Sequence, residues 1–355
     1  MLASGKDGFV VGNADARIGL DPTGWRIWQL CEYPVTTDHI VARLTHEFDV
    51  APSECRDHVV SFLDELVRRG LMERTTAGDP ARDRYLWLLK RALTNRLYVE
   101  NEQRLWLLSE RAANGGNFPT QTELRDIRYD DPETYRRLSV DKEIGRMVYR
   151  EPGRYAHTMN GLHSLTHVER LTEDLLSRGV DGDFVDAGTW RGGIAIFMRA
   201  LQHAHGVADR KVWVADSFSG VPKPTAQPDV DAKLDLSEDR FPWMAASRRE
   251  VQDNFALYEL LDEGVEFLPG LFADTLPTAP IDRIALLRFD GDLYGSTVDC
   301  LTALYDRVSP GGHVIIDDYA LAPCKQAVDE FRAERGITAP LHRINWSVVH
   351  WQKAG

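Results

Sequence analysis

From residue 184 onward the apolar positions follow two distinct rhythms. Short continuous apolar runs (FVDA at 184–187, VWVAD at 212–216, VEFL at 265–268, IALLRF at 284–289, HVII at 313–316) alternate with longer segments. In those segments, such as GIAIFMRALQHA, REVQDNFALYELL and STVDCLTALYDRV, apolar residues recur three and four apart. The first rhythm predicts strands buried on both faces, and the second predicts amphipathic helices. Their alternation predicts an α/β, Rossmann-like core with a parallel sheet and helices on both faces. LHRIN and SVVHWQK close the chain as a hairpin. Residues 83–180 read as mainly helical, with a polar, poorly periodic stretch from Asn114 to Asp131.

The beginning of the chain has a different pattern. FVVGNADARIGLDP carries short β-type runs broken by Gly-Asn and Asp-Pro, a hairpin signal. Asp21 or Thr23 caps a first helix, Thr36 or Thr37 a second, and Pro52-Ser53 opens a third that stops at Gly70. That third helix turns Val59, Val60, Phe62, Leu63, Leu66 and Val67 inward. A hairpin and three short helices make a small α+β domain over residues 1–74. Thr, Gly, Asp and Pro then cluster in a linker at 75–82. The remainder, 83–355, divides into a helical part at 83–180 and the core at 181–355. Within the core, Gly220–Trp243 is rich in Pro and Asp and weakly patterned, either a solvated insertion or a lid over the site.

The chain has 355 residues, with 55 acidic against 42 basic, a formal charge of −13. Such a balance excludes a phosphate-tracking nucleic-acid binder and disfavours an anionic membrane surface. No run approaches the roughly 20 apolar residues of a membrane span, and the N-terminus lacks a secretory pattern. Cys31, Cys55, Cys300 and Cys324 have no metal-type spacing and read as buried free thiols. These features together predict a soluble cytoplasmic protein.

Ligands of doubly wound sheets bind at the carboxyl ends of the strands, where strand order reverses. Asp186-Ala-Gly188-Thr189-Trp-Arg-Gly192-Gly193 is a strand–turn–helix junction whose glycines let a ligand approach. Asp216, followed by Ser217, ends the next strand and can accept the hydroxyls of a ribose. The turn lacks the G-x-G-x-x-G spacing that seats a pyrophosphate, which favours S-adenosylmethionine over NAD. Asp290-Gly-Asp292 and Asp317-Asp318 end two further strands. Carboxylates gathered there call for a cation, and Mg2+ suits an all-oxygen set. The chemistry this allows is methyl transfer to a hydroxyl whose proton is taken by Asp290, with His157, His342 and His350 as alternative bases. A carboxylate acceptor is also compatible with the site.

AHTMNGLHSL, DAGTWRGG, VWVADSFSGVP, NFALYELLDEGVEFLPGLFADTLP, LLRFDGDLYGST and SPGGHVIIDDY, in that order, resemble the macrocin O-methyltransferase (TylF/MycF-type) family over about residues 82–353. The resemblance implies S-adenosylmethionine- and Mg2+-dependent methylation of hydroxyls, often on sugars of natural products, by a homo-oligomer. It implies Asp290, Asp317 and Asp318 as metal ligands, Asp290 also as base. Thr158, Met159, Asp186, Gly188, Asp216 and Ser217 would line the cofactor site, with Phe272 near adenine. Asp186 stands where that family often has Glu. The segment from Ala16 to Glu73 is similar to PqqD-like peptide-recognition domains, in which a leader peptide adds to the hairpin edge. The substrate expected first is a ribosomal peptide captured by the first domain; the alternative is a sugar hydroxyl of a glycosylated small molecule, with the first domain structural. A catalytically dead peptide chaperone is a third reading, disfavoured by the full carboxylate set.

Overall fold

The computed structural model describes residues 3–5, 8–12, 17–31, 37–69, 71–72, 79–144, 156–223, 231 and 234–355. It divides into two compact units, Met1–Arg84 and Tyr85–Gly355.

In the first unit, strands β1 (Ala3–Gly5), β2 (Gly8–Gly12) and β3 (Arg17–Leu20) form an antiparallel sheet in chain order. Helices α1 (Pro22–Leu30), α2 (Thr37–Glu47) and α3 (Pro52–Arg68) follow. Asp21 caps α1, its Oδ1 accepting the Gly24 N–H at 2.6 Å, and proline opens α3 at its first turn. Ile27, Ile40, Val41, Leu44, Cys55 and Val59 form this unit's own core. The expected inward face of α3 holds for Val59 and Leu66 but not for Val60, which is 38% exposed. Val60 lies about 100° around the helix from Val59, off the stripe that an amphipathic helix buries. Gly70 and residues 75–78 of the expected linker lie outside the described residues, and Pro80–Arg82 already belong to the next helix.

Helices α4 (Pro80–Leu93), α5 (Val99–Ala113), α6 (Gln121–Asp130), α7 (Pro132–Ile144) and α8 (Leu162–Ser177) make up the expected helical part. Helix α6 corrects the reading of 114–131 as patternless. Its entry is a capping box: Glu123 donates its N–H to the Thr120 hydroxyl at 3.2 Å, and the Glu123 carboxylate accepts the Thr120 N–H at 2.7 Å. Polar residues cover most of this helix and leave Ile127 as its buried residue, so apolar periodicity missed it.

The core then runs β4 (Asp183–Ala187), α9 (Gly193–Ala204), β5 (Val212–Asp216), α10 (Arg248–Leu257), β6 (Val265–Pro269), α11 (Phe272–Thr275), β7 (Ile284–Phe289), α12 (Tyr294–Leu304), β8 (Val308–Ile316), α13 (Ala322–Glu334), β9 (His342–Arg343) and β10 (Val349–Gln352). The strands are ordered β6-β5-β4-β7-β8-β10-β9. Strands β4 to β8 are parallel, as expected, while β10 and β9 add the closing hairpin antiparallel to β8. Successive residues feed opposite faces. Phe184, Val212, Val214 and Leu286 pack on one core, and Val185, Trp213, Ala215 and Leu287 on the other. Strand order reverses between β4 and β7, which brings the Asp186, Asp216, Asp290 and Asp317 strand ends to one edge. Among the described residues, no helix is long and apolar enough to cross a membrane.

Candidate active site

The carboxyl edge has two halves. In the first, the turn after β4 is shaped by contact. Gly188 has φ +87°, and a Cβ there would lie 1.6 Å from the Asp290 carbonyl oxygen; only glycine lets the β4 and β7 ends approach so closely. Gly193 begins α9 and donates its N–H to the His157 carbonyl at 2.8 Å. It thereby docks the 156–161 segment, with Thr158 buried and Met159 half-buried, against the turn. The first turn of α9 has no side-chain cap, which leaves N–H groups for an anionic ligand group.

The two acids of this half are occupied. Asp186 is fully buried; its carboxylate accepts from Arg288 at 2.7 Å and from the Thr189 hydroxyl at 2.8 Å. It therefore lies beneath the expected cofactor surface rather than on it. Asp216 accepts the N–H groups of Thr189 at 2.8 Å, Trp190 at 3.2 Å and Phe218 at 2.8 Å. Burial pushes its carboxyl up, and these backbone bonds oppose the shift. Ser217 donates to the Gly220 carbonyl at 2.7 Å. The strand-end acid thus holds the turn, with at most one of its roughly four lone pairs left for a ribose hydroxyl. Phe272 is half-buried and packs edge-on against Phe289, with ring centroids 5.8 Å apart.

The second half is crowded with charge. One ligand oxygen from each of Asp290, Asp292 and Asp318 lies within 4.8 Å of the others. Burial, reinforced by neighbouring carboxylates, raises all of them: Asp292 to about 8, Asp290 and Asp318 well above the carboxylate range. Asp317, expected as a third ligand, lies outside that group. Its Oδ2 faces Arg288 at 3.3 Å and accepts from Asn160 at 3.2 Å, while its Oδ1 is buried without a partner. Burial pushes Asp317 up to about 7, against the pull of Arg288. Asp292 takes the third place because it sits at φ +56° in the turn after β7 and donates its N–H to Asp318 at 3.1 Å.

Sequence reasoning missed Arg288 and Asn160. Arg288, buried in β7, contacts Asp186, Asp290 and Asp317, and so joins three strand ends. Burial works against its charge, but the three carboxylates outweigh it and keep the guanidinium protonated. An arginine inside the apolar run IALLRF was the available signal, since such a residue is almost never buried unpaired. Asn160 lies in AHTMNGLHSL, where nothing in its spacing marks it.

The expected alternative bases do not join this cluster. His157 is hydrogen-bonded through Nδ1 to the Tyr258 hydroxyl at 2.8 Å, and burial lowers it. His350 stacks on His342 and meets His167 at 3.1 Å, and burial lowers both His350, to about 4, and His167, to about 3. Of the Gly220–Trp243 segment, residues 224–230, 232 and 233 lie outside the described residues. Its Asp231 is buried and accepts the N–H groups of Tyr294 at 2.7 Å and Gly295 at 3.1 Å, which caps α12. The four cysteines are free; Cys55, Cys300 and Cys324 are buried and Cys31 is half-buried.

A reversed strand order, an uncapped helix after a glycine turn and an acid at the second strand end make this a doubly wound nucleotide-type site, as S-adenosylmethionine-dependent methyltransferases have. Comparison with known proteins narrows this. Residues 82–353 match the macrocin-O-methyltransferase (TylF) family, and the chain belongs to it. It is 48% identical over 231 residues (63% of this chain, 88% of the relative) to demethyldecarbamoylnovobiocin O-methyltransferase of Streptomyces niveus. It is 42% identical to the 8-demethyl-8-(2,3-dimethoxy-alpha-L-rhamnosyl)-tetracenomycin-C 4'-O-methyltransferase of Streptomyces olivaceus, covering 77% of this chain and 94% of the relative. The solved O-methyltransferase NovP superposes with TM-score 0.64 at 42% identity, covering 77% of this chain and all of NovP. The protein is an O-methyltransferase. Residues 9–72, ahead of that domain, match the coenzyme PQQ synthesis protein D (PqqD) family.

Proposed function

We propose that this chain methylates a sugar hydroxyl on a glycosylated small-molecule metabolite, using S-adenosylmethionine and Mg2+. The carboxylate cluster at the β7 and β8 ends is the observation that carries the reading, together with relatives that act on glycosylated natural products. The residues fit a hard divalent cation: they offer oxygen ligands only, they crowd like charges, and Asp317 Oδ1 is buried unpartnered. Asp290, Asp292 and Asp318 would hold it, with Asp317 within reach through that free oxygen. The cation would supply positive charge that acidifies a bound hydroxyl. S-adenosylmethionine would supply the methyl group, bound by the turn 188–193, Thr158, Met159, Asp216, Ser217 and Phe272.

Asp290 accepts the hydroxyl proton as the new C–O bond forms and the methyl–sulfur bond breaks, releasing S-adenosylhomocysteine. Arg288 holds one oxygen of Asp290, which leaves the other for the proton. The bonds between Asp216 and the Thr189 and Trp190 N–H groups hold the turn that would bind the methyl donor.

A second reading is favoured by the PqqD match. In it, residues 1–74 capture a ribosomal peptide and the same site methylates it. Among the described residues, β1 and β3 each pair on one side only, so a peptide strand could extend the sheet. Label transfer separates the two readings. The protein, Mg2+ and methyl-labelled S-adenosylmethionine are incubated with extract of the producing cells. Protease-resistant label in the small-molecule fraction is expected; protease-sensitive label would establish the peptide instead.

A further inference from the structure

Trp346 is exposed over 58% of its surface, yet the turn that carries it is fixed from several sides. Asn345 Oδ1 accepts the N–H groups of Ser347 and Val348, both at 2.8 Å, closing the turn on itself. Asn345 Nδ2 donates to the Ser164 hydroxyl at 3.0 Å, which ties the turn to α8. Arg343 donates to the Trp346 carbonyl at 2.8 Å. Ser347 donates its hydroxyl to the carbonyl of Asp317 at 2.7 Å, which joins the turn to the acid cluster.

Register places this turn. Val349 of β10 lies opposite Ile316 of β8, and the strands are antiparallel, so the residues before Val349 run beside Asp317 and Asp318. Trp346 directly precedes Ser347, whose hydroxyl holds the Asp317 carbonyl, and so stands at the β10 side of the same carboxyl edge as the carboxylates that would receive the reacting hydroxyl. Leaving a tryptophan in water forgoes the burial that normally stabilises a large apolar ring. A flexible loop could carry such a residue without consequence, but this turn is held rigidly at the edge of the site.

We propose that Trp346 is an acceptor-binding residue, a flat platform on which the apolar face of a pyranose ring stacks while its hydroxyl reaches Asp290. A pyranose fits because its C–H groups gather on one face, which an aromatic ring can cover, while its hydroxyls project outward. This assignment rests on the sugar reading and adds to it the contact that selects a ring-shaped acceptor.

The test uses the full-length protein with Mg2+, S-adenosylmethionine and two probes, demethyldecarbamoylnovobiocin and p-nitrophenyl α-L-rhamnoside. Trp346→Ala should raise the glycoside KM about tenfold, the scale of one lost aromatic contact, and lower kcat by much less. Its Kd for S-adenosylmethionine should match wild type. Trp346→Phe, which keeps a ring, should recover most of the KM. An unchanged glycoside KM in Trp346→Ala overturns the platform. So does a changed subunit number by light scattering, which would make Trp346 a contact between copies of the chain. A wild-type enzyme that methylates neither glycoside removes the sugar reading, and the platform with it.

Discussion

Both halves of the carboxyl edge are lined with aspartates at strand ends, but the aspartates do different work. At the β4 and β5 ends, Asp186 and Asp216 are satisfied by Arg288, the Thr189 hydroxyl and three backbone N–H groups. They fix the turn. At the β7 and β8 ends, Asp290, Asp292 and Asp318 face one another and Asp317 lies beside them, with Arg288 and Asn160 as side-chain donors. On the proposed function they would hold a cation and take a proton. What separates the two sets is their surroundings: donors reach Asp186 and Asp216, whereas like charges crowd Asp290, Asp292 and Asp318.

The largest effect should come from Asp290→Asn, which keeps the shape and removes the base. Turnover should fall at least ~1000-fold, within the range for loss of a positioned general base, while calorimetry finds S-adenosylmethionine affinity within threefold of wild type. Turnover near the wild-type rate would break the division into a structural and a reactive half.

Stability should split the halves in opposite directions. Asp186→Ala takes one of three carboxylates from the buried Arg288 and should lower stability in denaturant unfolding, by less than the about 3–5 kcal/mol of a fully broken buried pair. Asp318→Asn replaces an acid that must take up a proton to fold without a cation, and should raise the Tm of the cation-free protein near neutral pH. If both variants lose stability alike, the second half is as well satisfied as the first.

The smallest effect lies outside the comparison and calibrates it. Thr120→Ala removes one side of the α6 capping box and should cost about 1 kcal/mol, with turnover unchanged. A loss approaching that of Asp186→Ala would mean that α6 supports the core far more than one buried residue suggests.

How legible all this was in the sequence follows the same physics. The strands from β4 to β8 could be read because strands buried on both faces must be continuously apolar, and the acids at their ends interrupt that pattern visibly. Helix α6 could not be read by periodicity, because it buries little more than Ile127, although Thr120-x-x-Glu123 marked its start. The strand-end acids were found as a group, but their division of labour was not. Nothing in Asp186 or Asp216 shows that backbone N–H groups and a guanidinium from β7 will claim them. That Asp292 stands closer to Asp318 than expected has a similarly local reason: with φ +56°, it donates its N–H to the Asp318 carboxylate.

The central claim is that the β7 and β8 acids form a cation site, and the most direct test is Mg2+ stabilisation measured at two pH values. In the folded protein without a cation, Asp317 and Asp292 titrate at about 7 and 8, against about 4 when unfolded. The folded state therefore holds more protons than the unfolded one, and cation-free stability falls as pH rises from 4 through 8. Mg2+ competes with those protons. We expect saturating Mg2+ to raise the Tm more at pH 8 than at pH 6, and Asp318→Asn to lose most of that rise. An equal rise at both pH values, or none at pH 8, would contradict a cation site built on these carboxylates.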